Sequence, residues 1–200
     1  MAESWVDTQP TARKLTRVNT VEKPEFSALG CLGGDLRAKA RWLYESESAR
    51  ARCKTLLTDG TLAMVIYRFM QASHRAGLTP LAMLFNKLNV IFGQCIIGRG
   101  ADFGEEFVLI HSQGVVINTG VRGGKKVFIE HQVTIGAEKR DAPVLGDDVF
   151  VGAGAKILGT VRLGNAVKVG ANAVVTKDVP DGATVVGIPA RVVRLHGKPV

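Results

Sequence analysis

From Ile97 onward the apolar positions recur every six residues. Leu145, Val151, Ile157, Leu163, Val169 and Val175 form the clearest run. Upstream, Ile97, Phe103 and Leu109 keep the same spacing, as do Ile117, Gly123, Ile129 and Ile135. Four residues after each anchor comes a small or branched side chain: Val149, Ala155, Val161, Val167, Ala173 and Val179. This period fits neither the roughly 3.6-residue repeat of an α-helix nor the two-residue alternation of a strand. Self-similarity at a fixed short period signals a solenoid. Each hexapeptide supplies one short strand and one corner, so about three make a triangular coil. The anchor points inward and stacks on the anchor one coil away. Glycine, with Asn or Asp, serves the corners, where positive φ is favoured.

The period slips twice. Leu109 to Ile117 is eight residues and Ile135 to Leu145 is ten. Extra residues must loop out at those points. The first slip holds His111-Ser112-Gln113-Gly114, and the second runs from Ala137 to Pro143. Loops that protrude from a rigid scaffold are where function usually sits.

Ahead of the repeats the pattern is helical. Residues 1–28 mix charge, Thr and Pro without a period and predict a mobile or loosely docked N-terminal tail. Asp35, after Gly33-Gly34, reads as an N-cap for a helix over Leu36–Leu57, with Asp59-Gly60 as its stop. Leu62, Val65, Ile66, Phe69 and Met70 follow helical spacing up to Gly77. Thr79-Pro80 then opens another helix carrying Leu81, Leu84, Phe85 and Leu88. The expected organisation is a tail over 1–28, an α-helical segment over 29–94, a β-solenoid over 95–190 and a C-terminal tail over 191–200.

Composition sharpens this picture. Aromatic residues are only 6% of the chain, as an aliphatic column requires. The net charge of +8 suggests an anionic partner such as a phosphate-bearing small molecule. Nucleic acid fits less well, because the basic residues are scattered without interleaved aromatics. No apolar run reads as a membrane span or a signal peptide. Cys31, Cys53 and Cys95 are odd in number and lack metal-ligand spacing, so they read as reduced thiols of a cytoplasmic protein, with no metal.

Several motifs together resemble the hexapeptide-repeat acyltransferases, and among them the serine O-acetyltransferase family. They are Tyr67-Arg68, the stretch from Ala101-Asp102-Phe103-Gly104 to Leu109-Ile110-His111, then Gly114-Val115-Val116-Ile117 and Val133-Thr134-Ile135-Gly136. Val151-Gly152-Ala153-Gly154-Ala155-Lys156 and the closing Gly187-Ile188-Pro189-Ala190-Arg191 complete the set. The resemblance implies a mainly β fold, a left-handed parallel β-helix with an N-terminal α-helical segment. It also implies a homotrimer or a dimer of trimers with sites between neighbouring prisms, and acetyl-CoA as the acyl donor. His111 matches the family's catalytic histidine, and such a base suits O-acetylation. His131, one turn onward, borders the same groove or serves structure. By motif position Ala137, Ala153 and Ala171 would offer backbone contacts to the pantetheine arm, and Lys156, Lys168 and Arg191 are the candidates near its phosphates.

The departures from the family concern the acceptor. The acid that orients the family's histidine is replaced by Ile96, and the acid directly before that histidine by Ile110. A histidine ahead of proline in the second loop is replaced by Ala142. Asp102, Glu105, Glu106 and Glu130 are the alternative sources of an orienting carboxylate. Three functions stay open: a serine acetyltransferase-like enzyme with a small hydroxyl acceptor, an O-acetyltransferase of a sugar or polysaccharide precursor, and a non-catalytic trimeric scaffold. The chain ends Gly197-Lys198-Pro199-Val200, without the final isoleucine through which the family docks a sulfhydrylase.

Overall fold

A computed structural model describes residues 27–138 and 141–200 of the chain. The tail expected over 1–28 lies, up to residue 26, outside the described residues.

The period-six positions build three parallel faces of a β-helix. The first face pairs β1 (Ile96–Ile97), β4 (Val116–Ile117), β7 (Thr134–Gly136), β10 (Lys156–Leu158) and β13 (Val174–Val175). The second pairs β2 (Asp102–Phe103), β5 (Arg122–Gly123), β8 (Val144–Leu145) and β11 (Arg162–Leu163). The third pairs β3 (Val108–Leu109), β6 (Phe128–Ile129), β9 (Phe150–Val151), β12 (Lys168–Val169) and β14 (Ala183–Val186). In register, Ile97, Ile117, Ile135, Ile157 and Val175 stack coil on coil. So do Leu109, Ile129, Val151, Val169 and Val185. All of these anchors are buried in one continuous core. Burying each is worth about 1.5–3 kcal/mol, which is how short strands sum to a stable rod.

The corners are built differently from the expectation in one respect. Gly152, directly after the anchor Val151, does not have positive φ. A Cβ there would lie 2.8 Å from Ala171 N, so close passage of the next coil selects glycine. The left-handed corner positions fall on Glu106, Lys126, Asp148 and Ala166 between the second and third faces, and on Gly114, Gln132, Gly154 and Asn172 between the third and first, where glycine and Asn serve the turn as expected. Asx corners do appear as a ladder. Asp147 Oδ1 accepts from Lys125 N at 2.7 Å, Asn165 Oδ1 from Asp147 N at 2.8 Å, and Asp181 Oδ1 from Asn165 N at 2.8 Å.

Four helices precede the coils among the described residues: α1 (Ala28–Tyr44), α2 (Ala49–Thr55), α3 (Thr61–Arg75) and α4 (Thr79–Phe92). This corrects two expectations. The single helix over 36–57 is two, because Glu45 takes a left-handed conformation and Ser48 caps anew. Asp35 is not an N-cap. Ser27 caps α1 by accepting from Gly30 N, and Asp35 is buried in mid-helix. Its carboxylate meets the Arg68 guanidinium in a two-point bond, Nε to Oδ2 at 2.7 Å and Nη2 to Oδ1 at 2.9 Å. It also accepts from Phe107 N at 2.9 Å.

Arg68 goes on to donate to Phe103 O at 2.9 Å and Gly104 O at 2.6 Å. The Tyr67 hydroxyl donates to Ala101 O and accepts from Phe103 N, both at 3.1 Å. The Tyr67-Arg68 motif therefore fastens the helices to the first coil. Arg68→Ala leaves the Asp35 carboxylate buried without its cation and should cost about 3–5 kcal/mol of stability in denaturant unfolding. A loss well under that would show the fastening to be dispensable.

Residues 191–200 are structured. Strands β15 (Arg191–Leu195) and β16 (Lys198–Pro199) add antiparallel to β14. Among the described residues no helix is long and apolar enough to cross a membrane.

Candidate active site

The corner between the third face and the first is a straight edge of the prism. Backbone bonds keep its coils stacked, with Gln132 N donating to Gln113 O, Gly154 N to His131 O and Asn172 N to Ala153 O. Successive coils place His111, His131, Ala153 and Ala171 along that one edge. His111 heads it, in the loop made by the first phase slip. Its side chain is 45% exposed, and its ring centroid lies 5.9 Å from that of His131.

The other proposed site residues distribute around this edge. Lys156 lies on the first face and donates to Gln132 O at 2.6 Å, which brings its ammonium back to the corner. Lys168 lies on the third face, in a 560 Å³ hollow with Arg41, Trp42, Lys126 and Phe128. Trp42 covers that hollow's aromatic floor, with ring centroids 5.2 Å from Phe128 and 5.5 Å from Phe150. Ala137 follows β7 at the opposite side of the first face, where the second slip begins. Residues 139 and 140 of that loop lie outside the described residues. Arg191 is exposed at the start of β15, paired with Val186. Neither remaining histidine joins the edge. His74 lies in the last turn of α3, and His196 forms the turn between β15 and β16.

None of the four expected carboxylates orients His111. Asp102 bonds Arg75 at 2.6 Å and Gln71 at 2.7 Å; burial alone would raise its pKa, but these partners hold it below the usual carboxylate range. Glu106 bonds Arg41 at 2.7 Å, and Glu105 lies 3.7 Å from Lys125. Glu130 faces His131 Nδ1 at 3.5 Å. The group beside His111 is Asp59, whose Oδ2 lies 3.3 Å from Nδ1. In the sequence Asp59-Gly60 reads only as a helix stop, and no spacing links it to a loop 52 positions away.

Two more residues at this place carry no motif. Lys39 of α1 is fully buried and donates to Leu109 O at 2.8 Å and to Asp59 O. Burial pulls its pKa down to about 8, against the opposing pull of Asp59. Beside Asp59 a 270 Å³ cleft opens, with Leu56, Phe92, Gln94, Ser112 and Gln113 in its wall. Ile110 does not line that cleft. It is buried with Ala38 of α1, so the helix occupies the space a charged side chain would need. Ile96 is 48% exposed.

Known proteins of similar sequence and shape bear on this geometry. Residues 142–177 match the family described as bacterial transferase hexapeptide (six repeats). A serine acetyltransferase of Bacillus pumilus is 35% identical over 161 residues, covering 78% of this chain and 74% of the relative. The crystal structure of Neisseria gonorrhoeae serine acetyltransferase superposes with a TM-score of 0.77 at 30% identity, over 84% of this chain and 65% of that one. That enzyme has also been solved in complex with serine. A serine acetyltransferase in complex with CoA superposes with a TM-score of 0.76 at 29% identity, over 83% of this chain and 69% of that one.

Proposed function

The chain belongs to the serine acetyltransferase family, and from that premise we propose that it transfers the acetyl group of acetyl-CoA to the hydroxyl of a small acceptor. The observation that carries the reading is the edge itself. A partly exposed imidazole heads a row continued by His131, Ala153 and Ala171, close to a cleft of 270 Å³.

In this mechanism His111 Nε2 takes the proton of the acceptor hydroxyl as its oxygen attacks the thioester carbonyl. The carbon–oxygen bond forms, the carbon–sulfur bond breaks, and the imidazolium returns the proton to the departing thiolate. The products are an acetyl ester and CoA. His131 flanks the same space. Ala137, Ala153 and Ala171 offer backbone groups to the pantetheine arm. Lys156 spends one of its three donors on Gln132 O, which leaves others for a phosphate. Lys168 and Arg191 supply further positive charge.

The working unit in this reading is a homotrimer or a dimer of trimers in the cytoplasm. Exposed Leu81, Met83, Leu84, Ile91 and Phe92 along α4 support assembly, since a single chain leaves them uncovered. The three free cysteines support a reducing compartment.

A second reading, a sugar or polysaccharide precursor as acceptor, is favoured by Ile96 and Ile110. Neither gives a zwitterion a charged partner, and unpartnered charges lose water at a cost. Incubation of the full chain with acetyl-CoA and a panel of serine and neutral sugars, read by CoA thiol release, separates the two. Turnover of a hydroxyl acceptor is the expected result, and strong turnover of free serine removes the sugar reading. No thiol release from any acceptor, with no acetyl-CoA binding by calorimetry, leaves the non-catalytic scaffold and overturns the enzyme.

A further inference from the structure

The turn between α2 and α3 carries Asp59 to the head of the active edge, and separate devices hold it there. The next residue, Gly60, is buried with φ +74°. A Cβ on it would lie 2.5 Å from Leu109 O, so only glycine lets the turn press against the strand that leads to His111. Lys39 bridges the same junction from below, donating to both Leu109 O and Asp59 O. A buried ammonium spent on two carbonyls is an expensive clamp, and it fixes the spacing between the Asp59 backbone and the strand. Hydroxyls brace the turn as well. Thr58 Oγ1 and Thr61 Oγ1 both donate to Thr55 O, at 2.7 and 2.8 Å.

The resulting contact has one chemical polarity. An ionised carboxylate only accepts, so His111 Nδ1 must carry the proton that it shares with Asp59 Oδ2 at 3.3 Å. We infer that Asp59 is a positioning residue: mounted by Gly60 and Lys39, its carboxylate accepts from His111 Nδ1–H, sets the tautomer and leaves Nε2 with the free lone pair. The inference rests on His111 being the base, as proposed above. The same carboxylate offsets the positive charge that appears on the ring when the hydroxyl proton arrives.

The other groups facing the ring do not substitute for it. From the next coil comes the His131 ring, at 5.9 Å, and its Nδ1 faces Glu130. From α1 comes Lys39, whose ammonium is directed at carbonyl oxygens. The signature that would identify Asp59 in sequence is an Asp-Gly turn plus a lysine on an earlier helix, a combination that has meaning only once the helices lie on the coil.

The test compares the full-length wild type with Asp59→Asn and Asp59→Glu. Asp59 is 62% exposed, so Asn should leave the melting temperature near that of the wild type. The tautomer of the His111 ring is read by long-range proton–nitrogen NMR in the free protein, and its resonances are assigned by their loss in His111→Ala. The wild type should show the Nδ1–H tautomer, and Asn, whose amide donates as well as accepts, should weaken that preference. In acetyl transfer, Asn should lower kcat by roughly tenfold or more with KM for acetyl-CoA unchanged, and Glu should recover part of the loss. An unchanged tautomer population in Asn, or a kcat equal to the wild type, overturns the inference. The NMR reading needs no turnover. Absence of transfer by the wild type would therefore count against the acetyltransferase reading, and the tautomer would still decide the Asp59 contact.

Discussion

His111→Ala should cut acetyl transfer by about 10²–10⁴-fold while acetyl-CoA affinity, measured by calorimetry, stays nearly unchanged. In the proposed mechanism the two readouts separate because the imidazole acts on the acceptor proton, whereas CoA is held by backbone groups and cations elsewhere on the coils. A positioned base contributes only in the transition state, so its loss appears in kcat and not in ground-state binding. His131 does not take over. Its ring centroid is 5.9 Å from that of His111, and its Nδ1 faces Glu130 instead of Asp59. The variant should fold normally, because His111 is partly exposed and no core side chain packs through it. A His111→Ala enzyme of near-normal rate would remove His111 as the base and leave the edge without a proton acceptor at its head.

Val151→Asp should abolish folding. Val151 is fully buried, and its neighbours in register, Ile129 below and Val169 above, are fully buried too. Among the described residues the column around it is built of apolar side chains, which offer a carboxylate no charged partner. The substitution loses about 1.5–3 kcal/mol of apolar burial. It also adds several kcal/mol for a desolvated, unpaired charge. The sum rivals the whole stability of a domain, typically about 5–15 kcal/mol. Because each coil rests on its neighbours, the break falls mid-rod and separates the upper coils from the helix-bound lower ones. The expected result is insoluble chain or a flat circular-dichroism melt. A soluble Val151→Asp protein with a normal melt would contradict the inward direction of the anchors.

The repeats were legible in the sequence because each coil is made from contiguous chain, and a face that must be buried in every coil prints its period directly. Ile97, Ile117, Ile135, Ile157 and Val175 stack as their spacing predicts. Both phase slips mark loops for the same reason, and the first holds His111. The helical segment was less legible. Asp35 looked like a cap because a local rule suited it, yet its partner Arg68 lies 33 positions away. Local spacing carries no record of such a pair. Gly152 was legible as a corner glycine but for the wrong cause, since crowding by the next coil is a property of stacking and not of the residue's own φ.

The site divides along the same line. Sequence by itself determined the three-sided rod, the place of its interruptions and the histidine in the first of them, because all of these follow from periodicity within neighbouring coils. Only the tertiary structure decided which carboxylate stands beside that histidine, since Asp59 arrives from a helical turn through Gly60 and Lys39. It also decided that Ile110 is covered by α1 and that Lys156 and Lys168 lie on different faces. Contacts between a helical layer and a coil have no period, so nothing short of their packing could reveal them.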